Sequence, residues 1–201
     1  MSLAPRFVGD FEKGIDFKGD LALFQKEYVK HVKIAETLGP YKISFHSGSD
    51  KFSVYQAIGA LKLGRVHVKT AGTSYLEALR TIAAREPELF GEILDFARGR
   101  YEADKASYHV SAKLDQVPPA QTCTLERFLR LFDDDDARQV LHVTFGSVLT
   151  CKDSAGKPVF KDRILRALEQ HEAAHYEYLQ RHFRRHIEPF VVTPSGVAVS
   201  N

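Results

Sequence analysis

Apolar residues recur at helical spacing over most of the chain. The spacing predicts helices over 20–38, 52–63, 74–85, 87–104, 125–132, 140–149 and 162–186, and the first of these stops at Gly39-Pro40. Short β-rich runs at 3–8, 41–45 and 65–69 each precede one of the first three helices, and a weaker one lies at 108–110. Three successive strand–loop–helix units predict parallel strands covered by helices, hence an α/β fold with a helical C-terminal region.

Composition narrows the class of protein. The chain has 201 residues, 44% of them hydrophobic, which suits a single domain over 1–201 with its own core. The formal net charge of +2 favours neither nucleic acid nor an anionic membrane as a partner. No apolar run reaches the ~18 residues of a membrane span, and no signal-peptide pattern opens the chain, so we expect a cytoplasmic location. Cys123 and Cys151 indicate neither a disulfide framework nor a zinc knuckle.

The loop after the second predicted strand is rich in functional groups. It reads His46-Ser47-Gly48-Ser49-Asp50-Lys51. Ligands of α/β folds gather at the carboxyl ends of the strands. There, His46 or Asp50 can ligate a cation, Lys51 can pair with a carboxylate, and the two serines can bond hydroxyls. These groups suit a polyhydroxylated anion, although Ser49 or Asp50 could simply cap the next helix.

The third predicted strand ends in a second polar group. His67 and Lys69 alternate onto one face of it, and Thr70-Ala71-Gly72-Thr73 then opens a helix whose free amides suit an anion. Two other features favour structural roles. His142 lies in an apolar run, where we expect a hydrogen-bonded interior or edge histidine, and the 133–136 aspartate run suits a helix start.

Residues 171–175 (HEAAH) match the H-E-x-x-H motif of zinc proteases. The glycine turn of the extended motif is absent, and the chain continues as helix to a second histidine pair, His182 and His186. Histidines here follow a general pattern on one helix face. We therefore do not assign a protease site.

Five stretches together resemble the tagaturonate/fructuronate epimerase family. They are 3–9 (LAPRFVG), 45–52 (FHSGSDKF), 67–78 (HVKTAGTSYLEA), 141–149 (LHVTFGSVL) and 182–186 (HFRRH). The resemblance implies a divalent-metal-dependent isomerase that acts at C4 of a ketohexuronate, on a TIM-barrel-like fold. Family members are about twice as long, so the chain resembles the C-terminal half of a (β/α) barrel. Such a half needs a partner or a second copy to supply the missing strands, and we expect the half chain by itself to be inactive or incomplete.

Combining the loops with the resemblance gives a set of candidate site residues. We predict a divalent cation held by His46 with Glu12, or with Asp10 in its place. The predicted catalytic residues are Asp50, Lys51 and Lys69; the predicted substrate-binding residues are Ser47, Ser49, His67, Thr70, Gly72 and Thr73. The alternatives are a related sugar-acid aldolase or isomerase, a non-catalytic half-barrel subunit and, last, a zinc protease.

Overall fold

A computed structural model describes residues 1–45, 50–69 and 72–191. Its sheet consists of β1 (Ser2–Leu3), β2 (Lys42–Phe45) and β3 (Val66–Val68). All pairs are parallel in the order β1-β2-β3, with Leu3 opposite Ile43 and Ile43 opposite Val66. The parallel arrangement confirms the prediction from the strand–loop–helix repeats, and it brings the carboxyl ends of all three strands to one edge.

Helices make up most of the described chain. The α-helices are α1 (Leu21–Leu38), α2 (Phe52–Leu61), α3 (Ser74–Arg85), α4 (Pro87–Asp104), α5 (Leu125–Arg130), α6 (Asp135–Val143), α7 (Phe145–Thr150), α8 (Lys161–Gln170) and α9 (Glu172–Ile187). Short 3-10 helices lie at Lys105–Ser107, Leu114–Gln116, Ala120–Thr122, Leu131–Asp133 and Glu188–Phe190. Within the described ranges, no helix is long and apolar enough to cross a membrane.

Two apolar clusters hold these elements together. The first lies between the sheet and helices α1 and α2; its buried members are Phe24, Tyr28, Val32, Ile43, Phe45, Val54, Tyr55 and Ile58. The second joins the helices that follow, centred on α3, α4 and α6, with Leu79, Phe90, Leu94 and Val140 fully buried. Burial of each such side chain stabilises the fold by about 1.5–3 kcal/mol relative to exposure.

Four predicted elements differ from the structure. The helix predicted over 140–149 is two helices, α6 and α7, which are separated at Thr144. The strand predicted at 3–8 ends at Leu3, since Pro5 lacks the amide that a sheet ladder needs and Phe7 packs into the first cluster. Residues 108–110 form no strand, and the next two amides, of Ser111 and Ala112, bond the Gln139 side chain instead. The helix predicted over 162–186 breaks at His171, whose φ of −116° and ψ of 33° separate α8 from α9.

Candidate metal centre

The centre is built around Asp50, the first described residue after β2. Its φ of +60° is uncommon for a residue with a side chain, and such conformations cluster at functional sites. The carboxylate is 2% exposed and lies at the sheet edge where the strands end. A buried carboxylate needs compensating partners, because removing an ion from water costs several kcal/mol.

Two of its neighbours come from α9. His182 and His186 are four residues apart, which places them one above the other on one helix face. That face packs on α3, and both rings are buried. The Nε2 atoms of His186 and His182 lie 3.3 Å and 3.6 Å from Asp50 Oδ1. Together the three side chains offer ligand atoms that all lie within 4.8 Å of one another.

Hydrogen bonding defines the state of the His186 ring. Its Nδ1 lies 2.9 Å from the His182 carbonyl oxygen, which can only accept, so Nδ1 carries a proton. In the neutral ring, Nε2 then presents a lone pair. Within the described residues, this Nε2 and Asp50 Oδ1 are buried atoms without a hydrogen-bond partner. Two facing acceptors repel unless a cation lies between them, and either a metal ion or a proton on Nε2 would satisfy both.

The other oxygen of Asp50 is held separately by Arg138. The guanidinium donates to Asp50 Oδ2 at 2.5 Å and also bonds the carbonyls of Gly14 and Phe132. Burial by itself raises the pKa of Asp50, but His186, Arg138 and His182 outweigh it and leave the pKa lowered. The carboxylate is therefore ionised at neutral pH, with Oδ1 directed to the histidines.

His182 has a second carboxylate at its other ring nitrogen. Glu77 of α3 places Oε1 3.6 Å from His182 Nδ1, whereas Thr73 Oγ1 lies 3.0 Å from Nε2, the nitrogen that faces Asp50. A carboxylate behind a ligating histidine is the usual way in which proteins orient the ring toward a metal. Burial first, then the positive charges nearby, lowers the pKa of His182 to about 4, so the ring is neutral and available as a ligand.

These residues fit a divalent transition metal. Two imidazoles and one carboxylate are a ligand set that Zn²⁺ and its first-row neighbours accept. Three protein ligands leave coordination positions for substrate oxygens. Three features agree with a role in metal binding. Asp50 Oδ1 and His186 Nε2 lack hydrogen-bond partners among the described residues, the tautomer of His186 is fixed, and the Glu77 carboxylate lies near His182 Nδ1.

Comparison with known proteins identifies the relationship. The sequence profile of UxaE, tagaturonate epimerase, matches residues 1–190. The chain belongs to the tagaturonate epimerase family.

Individual relatives agree with the family assignment. The tagaturonate/fructuronate epimerase of Thermotoga maritima is 49% identical over 187 residues, which is 93% of this chain. The native crystal structure of fructuronate-tagaturonate epimerase UxaE from Cohnella laeviribosi superposes with a TM-score of 0.89 at 41% identity over 94% of this chain. The crystal structure of the Cohnella enzyme with two glycerol molecules gives 0.90 at 40% identity over 96%. This chain spans 38–39% of the length of these relatives.

The loops predicted to converge do so in part. Asp50 and Thr73 meet at His182, so the loops after β2 and β3 contribute to one centre. His46, Ser47, Ser49 and Thr70 lie outside the described residues, and their predicted roles stay predictions.

Lys51 and Glu12 are buried in other networks. The Lys51 ammonium donates to the carbonyls of Glu12, at 2.7 Å, and Ile15, and so fastens the loop after β1. The Glu12 carboxylate accepts from Ser111 and Gln139 and lies 3.6 Å from the Lys18 ammonium. It is not part of the Asp50 cluster, and neither the catalytic role of Lys51 nor the metal role of Glu12 is tested by these contacts.

His67, Lys69 and Gly72 are not part of the Asp50 cluster. His67 Nδ1 lies 2.9 Å from Ser44 Oγ on the polar face of the sheet, and Lys69 is exposed just beyond β3. Gly72 has a φ of +112°, and a Cβ there would lie 3.2 Å from His142 Nε2. The positive φ at 72 favours glycine, and a side chain there would also crowd the His142 ring.

The H-E-x-x-H residues form no cluster. Because the helix breaks at His171, its ring pairs with Glu86 at 3.2 Å, while His175 lies 3.2 Å from Thr81 Oγ1. Glu172 accepts from Tyr176. In the part of the chain that the structure describes, the group able to hold a metal is the Asp50 cluster alone.

Sequence reasoning missed four contributors, namely His182, His186, Arg138 and Glu77. The i, i+4 spacing of the two histidines was the available signal, but it was attributed to a general face pattern. Arg138 and Glu77 carry no motif, because their roles depend on partners far along the chain.

His142 is buried, as predicted, but both ring nitrogens lack a hydrogen-bond partner among the described residues. Burial first, then the nearby Lys13 ammonium, lowers its pKa to about 4. The unfolded chain therefore binds a proton between about pH 6.5 and 4 that the folded chain excludes, so stability falls as the pH drops through this window.

The His142→Leu variant has no imidazole to bind this proton. Its free energy of unfolding is therefore expected to fall less than that of wild type between pH 7 and pH 4.5, by up to about 3 kcal/mol. Urea unfolding at pH 7 and pH 4.5 measures it. Part of the pH dependence of stability should remain in the variant, because the pKa of His182 is also lowered in the folded chain. The matched control is His109→Leu, whose ring is exposed. An identical pH slope in wild type and His142→Leu would contradict the prediction.

Proposed function

We propose that this chain carries the metal centre of an epimerase that interconverts tagaturonate and fructuronate by inverting C4. The observation that supports the proposal most strongly is the buried Asp50, His182 and His186 cluster in a member of this family. The named activity of the relatives at 40–49% identity supports the substrate class.

Inversion at C4 requires a trigonal carbon. C4 lies two bonds from the C2 ketone, so enolisation alone does not make its hydrogen acidic. Retro-aldol cleavage does form such a carbon. The C4 hydroxyl loses its proton, the C3–C4 bond breaks with its electron pair moving toward C2, and C4 becomes an aldehyde. Rotation of the aldehyde and re-addition to its opposite face invert C4, and the proton returns. A bound divalent cation would stabilise the developing enolate oxygen by several kcal/mol.

The chain's own residues supply the remaining parts. Asp50, His182 and His186 would hold the cation, and Arg138 donates to the other carboxylate oxygen of Asp50, which leaves Oδ1 as the oxygen facing the histidines. Lys69, exposed at the end of β3, is proposed to stabilise anionic oxygens of the substrate. Asp50 thus acts through the cation, whereas sequence analysis assigned the metal to His46 and Glu12.

The fold is proposed to be part of a (β/α) barrel. In the described residues, β1 and β3 each pair only with β2, so each presents a sheet edge that another parallel strand can extend. We propose that further strands complete the ring, from additional polypeptide, from a second copy of the chain or from a partner. The small-molecule substrate would bind at the mouth formed by the strand ends.

The test is a metal-reconstitution assay. Chain stripped with a chelator and reloaded with Mn²⁺, Co²⁺ or Zn²⁺ is expected to convert tagaturonate to fructuronate, followed by proton NMR. In D₂O, the retro-aldol route predicts no deuterium at C4, because the C4 hydrogen never leaves. Metal-loaded chain that binds the ion yet shows no turnover would contradict catalysis by this chain and favour a non-catalytic half-barrel subunit.

A further inference from the structure

A cavity of about 360 Å³ opens at the ends of β1 and β2. Its volume lies within the range of small-molecule sites and suits a six-carbon sugar acid. The lining combines a few polar groups with Phe7 and Phe11, two aromatic residues that are only partly buried. Partly exposed rings suit the apolar face of a sugar carbon chain.

Arg6 provides the positive charge of this cavity. The side chain is exposed, and among the described residues it forms no ion pair or hydrogen bond. Its guanidinium can therefore present two parallel N–H donors to a carboxylate, the geometry that arginine matches best. The acidic group in the lining, Asp10, lies 3.6 Å from His109 Nε2, so it already has a neighbour of its own.

Hydroxyl recognition is available on the sheet face. Ser44 lines the cavity and lies 2.9 Å from His67 Nδ1. This contact leaves the His67 Nε2 atom available to donate or accept, according to the tautomer. A serine hydroxyl joined to an imidazole in this way offers both a donor and an acceptor to a polyol.

One loop connects the cavity to the metal centre. Residues 9–11 line the cavity, and the same loop continues through Gly14, whose carbonyl bonds the Arg138 that holds Asp50. Lys51 fastens this loop through the Glu12 and Ile15 carbonyls. These hydrogen bonds therefore fix the position of the loop that lines the cavity relative to the Asp50 cluster.

We propose that this cavity is the carboxylate subsite of the enzyme, with Arg6 binding the substrate carboxylate and the Ser44–His67 pair binding a hydroxyl. The inference rests on the proposed function and adds to it the residues that distinguish a sugar acid from a neutral sugar. Sequence analysis assigned carboxylate pairing to Lys51; Arg6 takes that role in this proposal.

The experiment compares two ligands that differ in the carboxylate. Isothermal titration of metal-loaded chain with tagaturonate and with the neutral ketose tagatose is expected to give at least ten-fold tighter binding of the acid. In Arg6→Gln, the preference for the acid should disappear while tagatose binding is unchanged. Arg65→Gln is the matched control, because Arg65 is also exposed but precedes β3, at the opposite end of the parallel sheet. It should retain the preference.

The outcomes separate this inference from the proposed function. Equal binding of acid and neutral sugar by the wild type, or an undiminished preference in Arg6→Gln, overturns the subsite. Metal titration of the same samples reports on the centre independently. Intact metal binding with no role for Arg6 rejects only the subsite, whereas failure to bind metal rejects the proposed function.

Discussion

Replacing His186 with leucine is expected to weaken the binding of Zn²⁺ or Co²⁺ by about a hundred-fold or more, a larger effect than outer-shell changes cause. The reason lies in the proton on Nδ1. Because the His182 carbonyl fixes that proton, Nε2 is the available lone pair, and it already faces Asp50 Oδ1 at 3.3 Å. Leucine fills a similar volume but offers no ligand atom. Titration calorimetry of chelator-stripped chain measures the change.

His175→Leu is the control for this prediction. His175 lies on the same helix, but its Nδ1 contacts Thr81 and it is not part of the cluster. Its replacement should leave metal affinity within about two-fold of wild type. Equal affinities for wild type and His186→Leu would show that the cluster is an ion pair between Asp50 and a protonated ring. The centre would then have to be sought elsewhere in the chain.

Local signals predicted the scaffold well. Apolar spacing predicted a helix over 20–38, and the structure shows α1 starting at Leu21, with the Asp20 carboxylate accepting from the Ala22 and Leu23 amides. The Gly39-Pro40 pair correctly predicted that this helix ends at Leu38. Capping and helical periodicity depend on neighbours within a few residues, so the sequence shows them directly.

The centre itself depends on contacts that no local pattern shows. His182 and His186 are visible as an i, i+4 pair, but nothing in that spacing reveals that α9 lies against α3 and faces Asp50. The break at His171 was invisible for the same reason, since neither glycine nor proline marks it. Periodicity predicts which side chains share a helix face, but the residues that this face contacts are known only from the folded structure.

Lys51 shows how the same limit affects an assigned role. The polar composition of the loop suggested an ammonium directed at a ligand. In the structure, the positive φ of Asp50 precedes a Lys51 side chain that is 1% exposed and runs to the loop after β1. Composition predicted that this loop carries chemistry, but not which of its charges would support the backbone.

Replacing Lys51 with methionine is therefore expected to lower the free energy of unfolding by about 3 kcal/mol at pH 7, because buried carbonyls that lose their donor each cost about 1–3 kcal/mol. Methionine keeps the length and apolar contacts of the stem, so the loss reports on the ammonium. Urea unfolding measures it. Lys33→Met on the exposed face of α1 is the control and should change stability by less than about 0.5 kcal/mol.

The pH dependence of the Lys51→Met effect identifies its cause. Burial lowers the pKa of Lys51 to about 8, against 10.5 for an unperturbed lysine. Between these values the unfolded chain holds a proton that the folded chain has released, so this group makes the wild type more stable as the pH rises, by at most about 1.4 kcal/mol per pH unit. The variant lacks this gain, and its deficit should widen from pH 8 to pH 9.5. A deficit that is absent at pH 7 would mean that the ammonium does not hold the loop and would return Lys51 to the list of catalytic candidates. A deficit that is constant with pH would mean that burial does not lower the pKa of Lys51 in the folded chain.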